Sequence, residues 1–340
     1  MRMSKIKMIV AVTVSMMMLC LLGEHVWAQS KVIGVIVYEN QTSSNRRAGE
    51  AFVANATKLG WKTIVVDGGT KFDKIRAAFD DFIAQKVDGI ANALVDPQMI
   101  QDSLEKAKAA GIPVVNIDAG YDPNVITNLA SNNYMIGGRI ASYLLDTMRQ
   151  KGQTQLLVTY FAYHFATRIR YEILKAALLD YPEMTVVEEH PVIAPGTEAE
   201  VETWLTAFLQ AHPDFEGGVW NPWDGPAAGA IAAIEKLGRK NIYVTGIDLS
   251  EWAVERLQKK IPDDPFIGSE AQNYELMGNI AAKIMKAIFD GTKQPSDFPS
   301  VIYVPTVLVT PKNAPAEGRP WTEAGEYKPG YEQLTTWPQY

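Results

Sequence analysis

Val32-Ile33-Gly34-Val35-Ile36-Val37-Tyr38 is apolar at almost every position. A strand with one face in water alternates apolar and polar side chains, so a run this continuous suits a parallel strand covered by helices on both faces. The residues beyond it fit that reading. A helical pattern from about Arg46 to Leu59 stops at Gly60, and Trp61 to Val66 is a second strand. Ile75, Phe79 and Phe82 recur at helical spacing, and Gly89 to Leu94 is a third strand. Asp96-Pro97 supplies a capping acceptor and a first-turn proline for a helix ending at Ala110, before Gly111.

The alternation continues through strands Ile112 to Ile117 and Val125 to Ala130, then a helix near Tyr134 to Met148. It restarts with strands at Leu156 to Tyr160, Thr185 to Glu189, Gly218 to Asn221, Ile242 to Ile247 and Phe266 to Ser269. Helical patterns lie between them. The expected fold class is α/β: two doubly wound parallel-sheet lobes with right-handed crossovers. A chain of 340 residues, 47% hydrophobic and 21% charged, is long enough for two lobes of roughly 150 residues each.

The first residues stand apart. Arg2, Lys5 and Lys7 precede an apolar stretch from Ile9 to Leu22, the pattern of an export signal. Val26-Trp27-Ala28 suits cleavage before Gln29. A retained anchor would need about 20 apolar residues, more than this stretch has. Lipid modification at Cys20 would want a small residue where Leu19 stands. Cleavage removes the only cysteine, and with it any intramolecular disulfide. It also removes three cations and Glu24, taking the formal charge from −7 to −9. An acidic surface with no basic cluster argues against nucleic acid and anionic lipid.

In open parallel sheets, ligands sit outside the carboxyl ends of the strands. Asp118 and Asp248 each directly follow the last apolar residue of a strand, which places both carboxylates at a cleft. A carboxylate accepts two hydrogen bonds from vicinal hydroxyls, each worth ~1.5–3 kcal/mol when charge-assisted and desolvated. Either aspartate could instead cap the following helix. Arg168 and Arg170 precede a helix of the second lobe, and one of them, Arg170 by position, would donate to ligand oxygens; the alternative is a solvated cation. Trp220, Trp223, Trp252 and Tyr38 lie at or just beyond strand ends, where a ring could stack on a sugar's C–H face or simply fill the core.

These pieces together resemble the type I periplasmic sugar-binding proteins, of which ribose-binding protein is the best-known example. The resemblance covers Lys31 to Lys312. It rests on the opening strand, the stretch Ala109-Ala110-Gly111-Ile112-Pro113-Val114-Val115-Asn116-Ile117-Asp118, Arg168 with Arg170, Ala228-Gly229-Ala230-Ile231 and Val244-Thr245-Gly246-Ile247-Asp248. It implies three crossings between the lobes, near Ser131, Gln272 and Pro305, forming a hinge. The first lobe would then comprise 29–131 plus 272–304, the second 132–271 plus 305–312, after a signal at 1–28 and before an extension at 313–340. A helix from Asn273 to Phe289 would return to the first lobe, burying Leu276, Ile280, Ile284 and Ile288. Gln272 matches the family's ligand residue on a crossing strand. The pattern also departs from ribose binders: Ser44 and Asn45 stand where two aromatics are usual, Ala119-Gly120 follows the aspartate in place of arginine, and Trp223 replaces an asparagine.

The resemblance implies an exported, monomeric, periplasmic carrier that takes a sugar or polyol and needs no cofactor or metal. Its partners would be an ABC permease and its ATPase subunit. A chemoreceptor or sensor kinase could use the same ligand-loaded form. An enzyme acting on a small sugar is the alternative of another class, but the chain has no GxGxxG, GxSxG or HExxH motif, and only His164, His190 and His212 remain after cleavage. His164, near the cleft, reads as a polar wall rather than a base. A sugar-responsive regulator would need a helix-turn-helix where the export signal lies. The proline- and aromatic-rich tail from Pro311 has no periodicity and is expected to wrap a surface or stay partly disordered.

Overall fold

The computed structural model describes residues 30–324; the export signal with its expected cleavage point, and the end of the tail, lie outside them. Strand β1 (Val32–Val37) is buried along nearly its whole length, as its unbroken apolar run requires. It lies between β2 (Lys62–Asp67) and β3 (Gly89–Ala93), parallel to both. With β4 (Val114–Ile117), β5 (Asn128–Ser131) and β11 (Val301–Val304) these form a first sheet in the order β11-β5-β4-β3-β1-β2. The second sheet has the order β12-β10-β9-β8-β6-β7. Its strands are β6 (Gln155–Tyr160), β7 (Thr185–Pro191), β8 (Gly217–Trp220), β9 (Ile242–Asp248), β10 (Phe266–Gln272) and β12 (Thr306–Val309). All its pairings are parallel except β10 with β12.

Helices cover both faces of each sheet, so the described residues hold two α/β lobes. The helices are α1 (Ser43–Lys58), α2 (Phe72–Gln85), α3 (Gln101–Ala109), α4 (Asn133–Gln150), α5 (Phe165–Ala177), α6 (Thr197–Ala211), α7 (Asp224–Lys236), α8 (Glu251–Gln258) and α9 (Tyr274–Phe289). None of them is long and apolar enough to cross a membrane. The chain leaves the first sheet after β5, returns between β10 and α9, and leaves again between β11 and β12, where Pro305 is the only residue separating the two strands.

Two local expectations are corrected. Asp96 caps a single 3-10 turn, Pro97–Met99, by accepting from the Gln98 amide at 3.0 Å; the α-helix starts only at Gln101, after Ile100 breaks the helical backbone. On α9 the buried stripe is Met277, Ala281, Ile284 and Met285, whereas Leu276, Ile280 and Ile288 are half-buried. The reason is Gly278. A Cβ there would lie 2.6 Å from Ala51 of α1, so the backbones of α1 and α9 approach closely and the helix turns its small side chains to that seam. Beyond β12 the tail packs on the second lobe, burying Ala314, Trp321 and Ala324 in a core shared with Val307 and Val309.

Candidate functional site

The carboxyl ends of the strands from both sheets meet around one cavity of about 50 Å³ that opens to solvent. Tyr38 and Glu39 follow β1, Leu94 follows β3 and Asp118 follows β4. From the opposite lobe come the Phe161 to His164 turn after β6, Arg170 on α5, Trp223 before α7 and Asp248 at the end of β9. Leu94, Asp118 and Asp248 all have left-handed backbones, with φ of 61°, 46° and 105°. Such conformations persist only where the surroundings enforce them, and here they sharpen the turns that bring these side chains inward.

Asp118 is buried; its Oδ2 accepts from the Tyr274 hydroxyl at 3.3 Å, and its Oδ1 has no partner. Burial pushes its carboxyl up to about 7; Arg170 opposes the shift and Asp248 adds to it. Asp248, equally buried, accepts from Gln272 Nε2 at 2.6 Å and lies 3.7 Å from Arg170 Nη1. Its carboxyl is also raised by burial, against Arg170 and Gln272. Tyr274 stands between the two aspartates, 3.3 Å from each. Arg170 donates from Nε to Asn133 at 2.8 Å and from Nη1 to the Pro222 carbonyl at 2.8 Å, while Nη2 has no partner. One acceptor and one donor of the lining therefore have no protein partner, bonding capacity that a guest in the cavity can use.

Glu39 is held by three N–H donors: the Gln41 amide at 2.6 Å, the Thr42 amide at 3.2 Å and Asn45 Nδ2 at 2.6 Å. Asn45 thus lines the cavity beside Ser44 while orienting this carboxylate. His164 Nε2 lies 2.8 Å from the Asp118 carbonyl. That carbonyl can only accept, so Nε2 carries the proton. Burial lowers the ring's pKa to about 4, leaving the imidazole neutral at physiological pH. Trp223 forms a wall, edge-to-face with Phe161 at 5.5 Å, and Tyr38 another, tilted against Phe72 at 5.9 Å.

Seven of the ten expected residues line the cavity: Tyr38, Ser44, Asn45, Asp118, Arg170, Trp223 and Asp248. Three do not. Trp220 is fully buried among Ile136, Ile140, Leu144 and Ile247, because its side of β8 faces the α4 layer. Arg168 turns back past the start of its helix to the Ala162 carbonyl and reaches Asp96 of the other lobe at 2.8 Å, an ion pair across the cleft. Gln272 stands behind the cavity and acts on it through Asp248 and Tyr274. Trp252 packs on Phe266 and faces a second, outer hollow that shares Thr42, Ser44, Trp223 and Asp248 with the cavity. Glu39 and Tyr274 were not expected. Glu39 was within reach of the sequence, since it stands just beyond a strand end as Asp118 and Asp248 do; nothing local marks Tyr274.

Comparison with known proteins bears on this arrangement. Residues 33–293 match a family model described as a periplasmic binding protein domain. The chain is 29% identical over 238 residues to the ribose import binding protein of Bacillus subtilis, covering 70% of this chain and 75% of that one. It is 26% identical over 229 residues to the D-apiose import binding protein of Actinobacillus succinogenes, covering 67% and 73%. Among solved structures, an ABC transporter solute-binding protein of Agrobacterium vitis with bound allitol superposes with a TM-score of 0.75 at 27% identity, covering 84% of this chain and 97% of that one.

Proposed function

We propose, from the premise that the chain belongs to the periplasmic binding protein domain family, that it captures a sugar or related polyol between its lobes and delivers it to an ABC importer. The observation that carries the reading is the meeting of Asp118 from one lobe with Asp248 and Arg170 from the other at a single buried cavity with bonding capacity to spare. A ligand with several hydroxyls satisfies both lobes only when they are shut, so binding shifts an open form toward the closed one. Tyr38, Ser44, Asn45 and Trp223 would complete the contact, with Gln272 and Arg168 supporting it from outside the cavity.

In this reading the lobes are 29–131 plus 272–304 and 132–271 plus 305–312, swinging about the three crossings. The placement of β11 in the first sheet and β12 in the second supports those bounds. The chain works as a periplasmic monomer after its signal is removed, presenting the closed form to a permease and its ATPase, with capture and release as its whole task. A thermal-shift screen of the mature protein against pentoses, hexoses and alditols tests this. A ligand at 100 times its dissociation constant should add ~2.7 kcal/mol of stability. Asp118→Ala and Asp248→Ala should each abolish that gain while the protein stays folded; an unchanged gain in both removes the carboxylates from the site.

A further inference from the structure

The charges around the cavity do not balance. Its lining carries three buried carboxylates, Glu39, Asp118 and Asp248, against one buried guanidinium, Arg170. A fourth carboxylate, Asp224, lies buried behind them, held by Ser269 at 2.7 Å and the Ser250 amide at 2.6 Å, with no cation among its bonds. Arg47 comes near, donating to the Asp248 carbonyl, but its fork is already engaged by Glu275 at 2.9 and 3.0 Å. Glu39 commits its carboxylate to three N–H donors, none of them a cation. Burying uncompensated charge is costly: burial raises the carboxyls of Asp118 and Asp248, and a cationic guest would favour their anionic form where a neutral one would not.

The bonding capacity and the walls agree with the charge. Asp118 Oδ1 needs a donor and Arg170 Nη2 needs an acceptor. Tyr38, Phe161, Tyr163 and Trp223 turn aromatic surface toward the same space. Aromatic faces attract ammonium groups as well as sugar C–H faces. We propose that the favoured ligand is a sugar or polyol bearing a protonated amine, its ammonium set against Asp118 and a neighbouring hydroxyl oxygen accepting from Arg170. This rests on the reading of the cavity as a polyol site and narrows it. A plain hydroxyl would fill the same bonds without offsetting the buried carboxylates; a carboxylate or phosphate would add another acid to them.

Isothermal titration tests the idea with matched trios: hexosamines and aminodeoxyalditols, each against its parent sugar or alditol and its N-acetyl derivative. The amine member of the tightest trio should bind at least tenfold more strongly than both neutral members. That advantage should shrink as salt is raised, and fall to within about twofold in Asp118→Asn. Glu39→Gln, which keeps the shape and alters a carboxylate outside the proposed ammonium contact, should reduce the advantage without erasing it. A neutral member that matches or beats its amine overturns the inference and leaves the polyol reading intact, as does an advantage that survives Asp118→Asn unchanged. Failure of every compound, neutral or charged, to bind sinks both.

Discussion

Arg139 and Glu270, beside the strands that cross between the lobes, and Arg46 and Glu251, across the mouth of the cleft, are the same chemical pair at the same 3.1 Å. They differ in the carboxylate. The Glu270 side chain is fully buried, whereas that of Glu251 is 57% exposed. Burial drives the Glu270 carboxyl up to about 7 even with Arg139 opposing it. Partial burial also pushes Glu251 upward, yet the Ser43 hydroxyl, a backbone amide and Arg46 outweigh it and hold that carboxyl below its usual value. Separation therefore does not set the worth of an ion pair here; loss of water does. The crossing region holds a charge that needs its partner, and the mouth holds one that water can replace.

The largest expected effect attacks the buried pair. Arg139→Met leaves Glu270 without a cation and should cost about 3 kcal/mol in urea unfolding at pH 8. Adding Glu270→Gln should recover most of it, and a double variant no more stable than the single would show that the pairing is not the cause. Next comes pH. The Glu270 carboxyl is raised in the folded chain, so its share of stability is complete below about 4.5 and is lost as pH climbs through about 7. Between pH 5 and 7, Glu270→Gln should flatten the fall in stability of the ligand-free protein by about 2 kcal/mol, because each tenfold change in proton affinity is worth ~1.4 kcal/mol. Asp118 and Asp224, both raised to about 7 by burial, keep a remaining slope in the same window.

The cross-cleft pair of Arg168 with Asp96 lies between the extremes, its carboxylate buried but its guanidinium in reach of solvent. Because it joins the lobes, Arg168→Ala should weaken ligand binding about tenfold, or ~1.4 kcal/mol, and leave unfolding of the ligand-free protein nearly unchanged. An equal loss in both would place the pair's effect within one lobe. The smallest effect belongs to the mouth: Arg46→Ala should change affinity by no more than about 0.5 kcal/mol, and that difference should vanish in ~0.5 M salt. A larger, salt-resistant loss would mean that the mouth is drier than its exposure indicates.

The same contrast explains what could be read from the amino acids alone. Continuous runs such as Val32 to Val37 announce parallel strands because their burial on two faces is written in adjacent residues. The carboxylates at strand ends follow from the sheet rule, and the rule extends to Glu39. Trp220 and Trp223 look alike by position, but a step of three positions takes the side chain from the α4 layer to the cavity. The face of α9 shifted by one position because Gly278 meets Ala51, a contact between residues more than two hundred positions apart. Tyr274 is hidden for a similar reason: its hydroxyl joins Asp118 to Asp248 only after six strands and two crossings have brought them together.

Pro305 stands alone between a strand of one sheet and a strand of the other. A single residue with a fixed φ and no N–H cannot act as slack rope. It behaves as a pin: at this point neither half can slide away from the other by more than one peptide's reach. Lengthening that joint by two or three glycines would leave both halves intact and slacken one of three pins, the other two being Asn132 after β5 and Asn273 after β10.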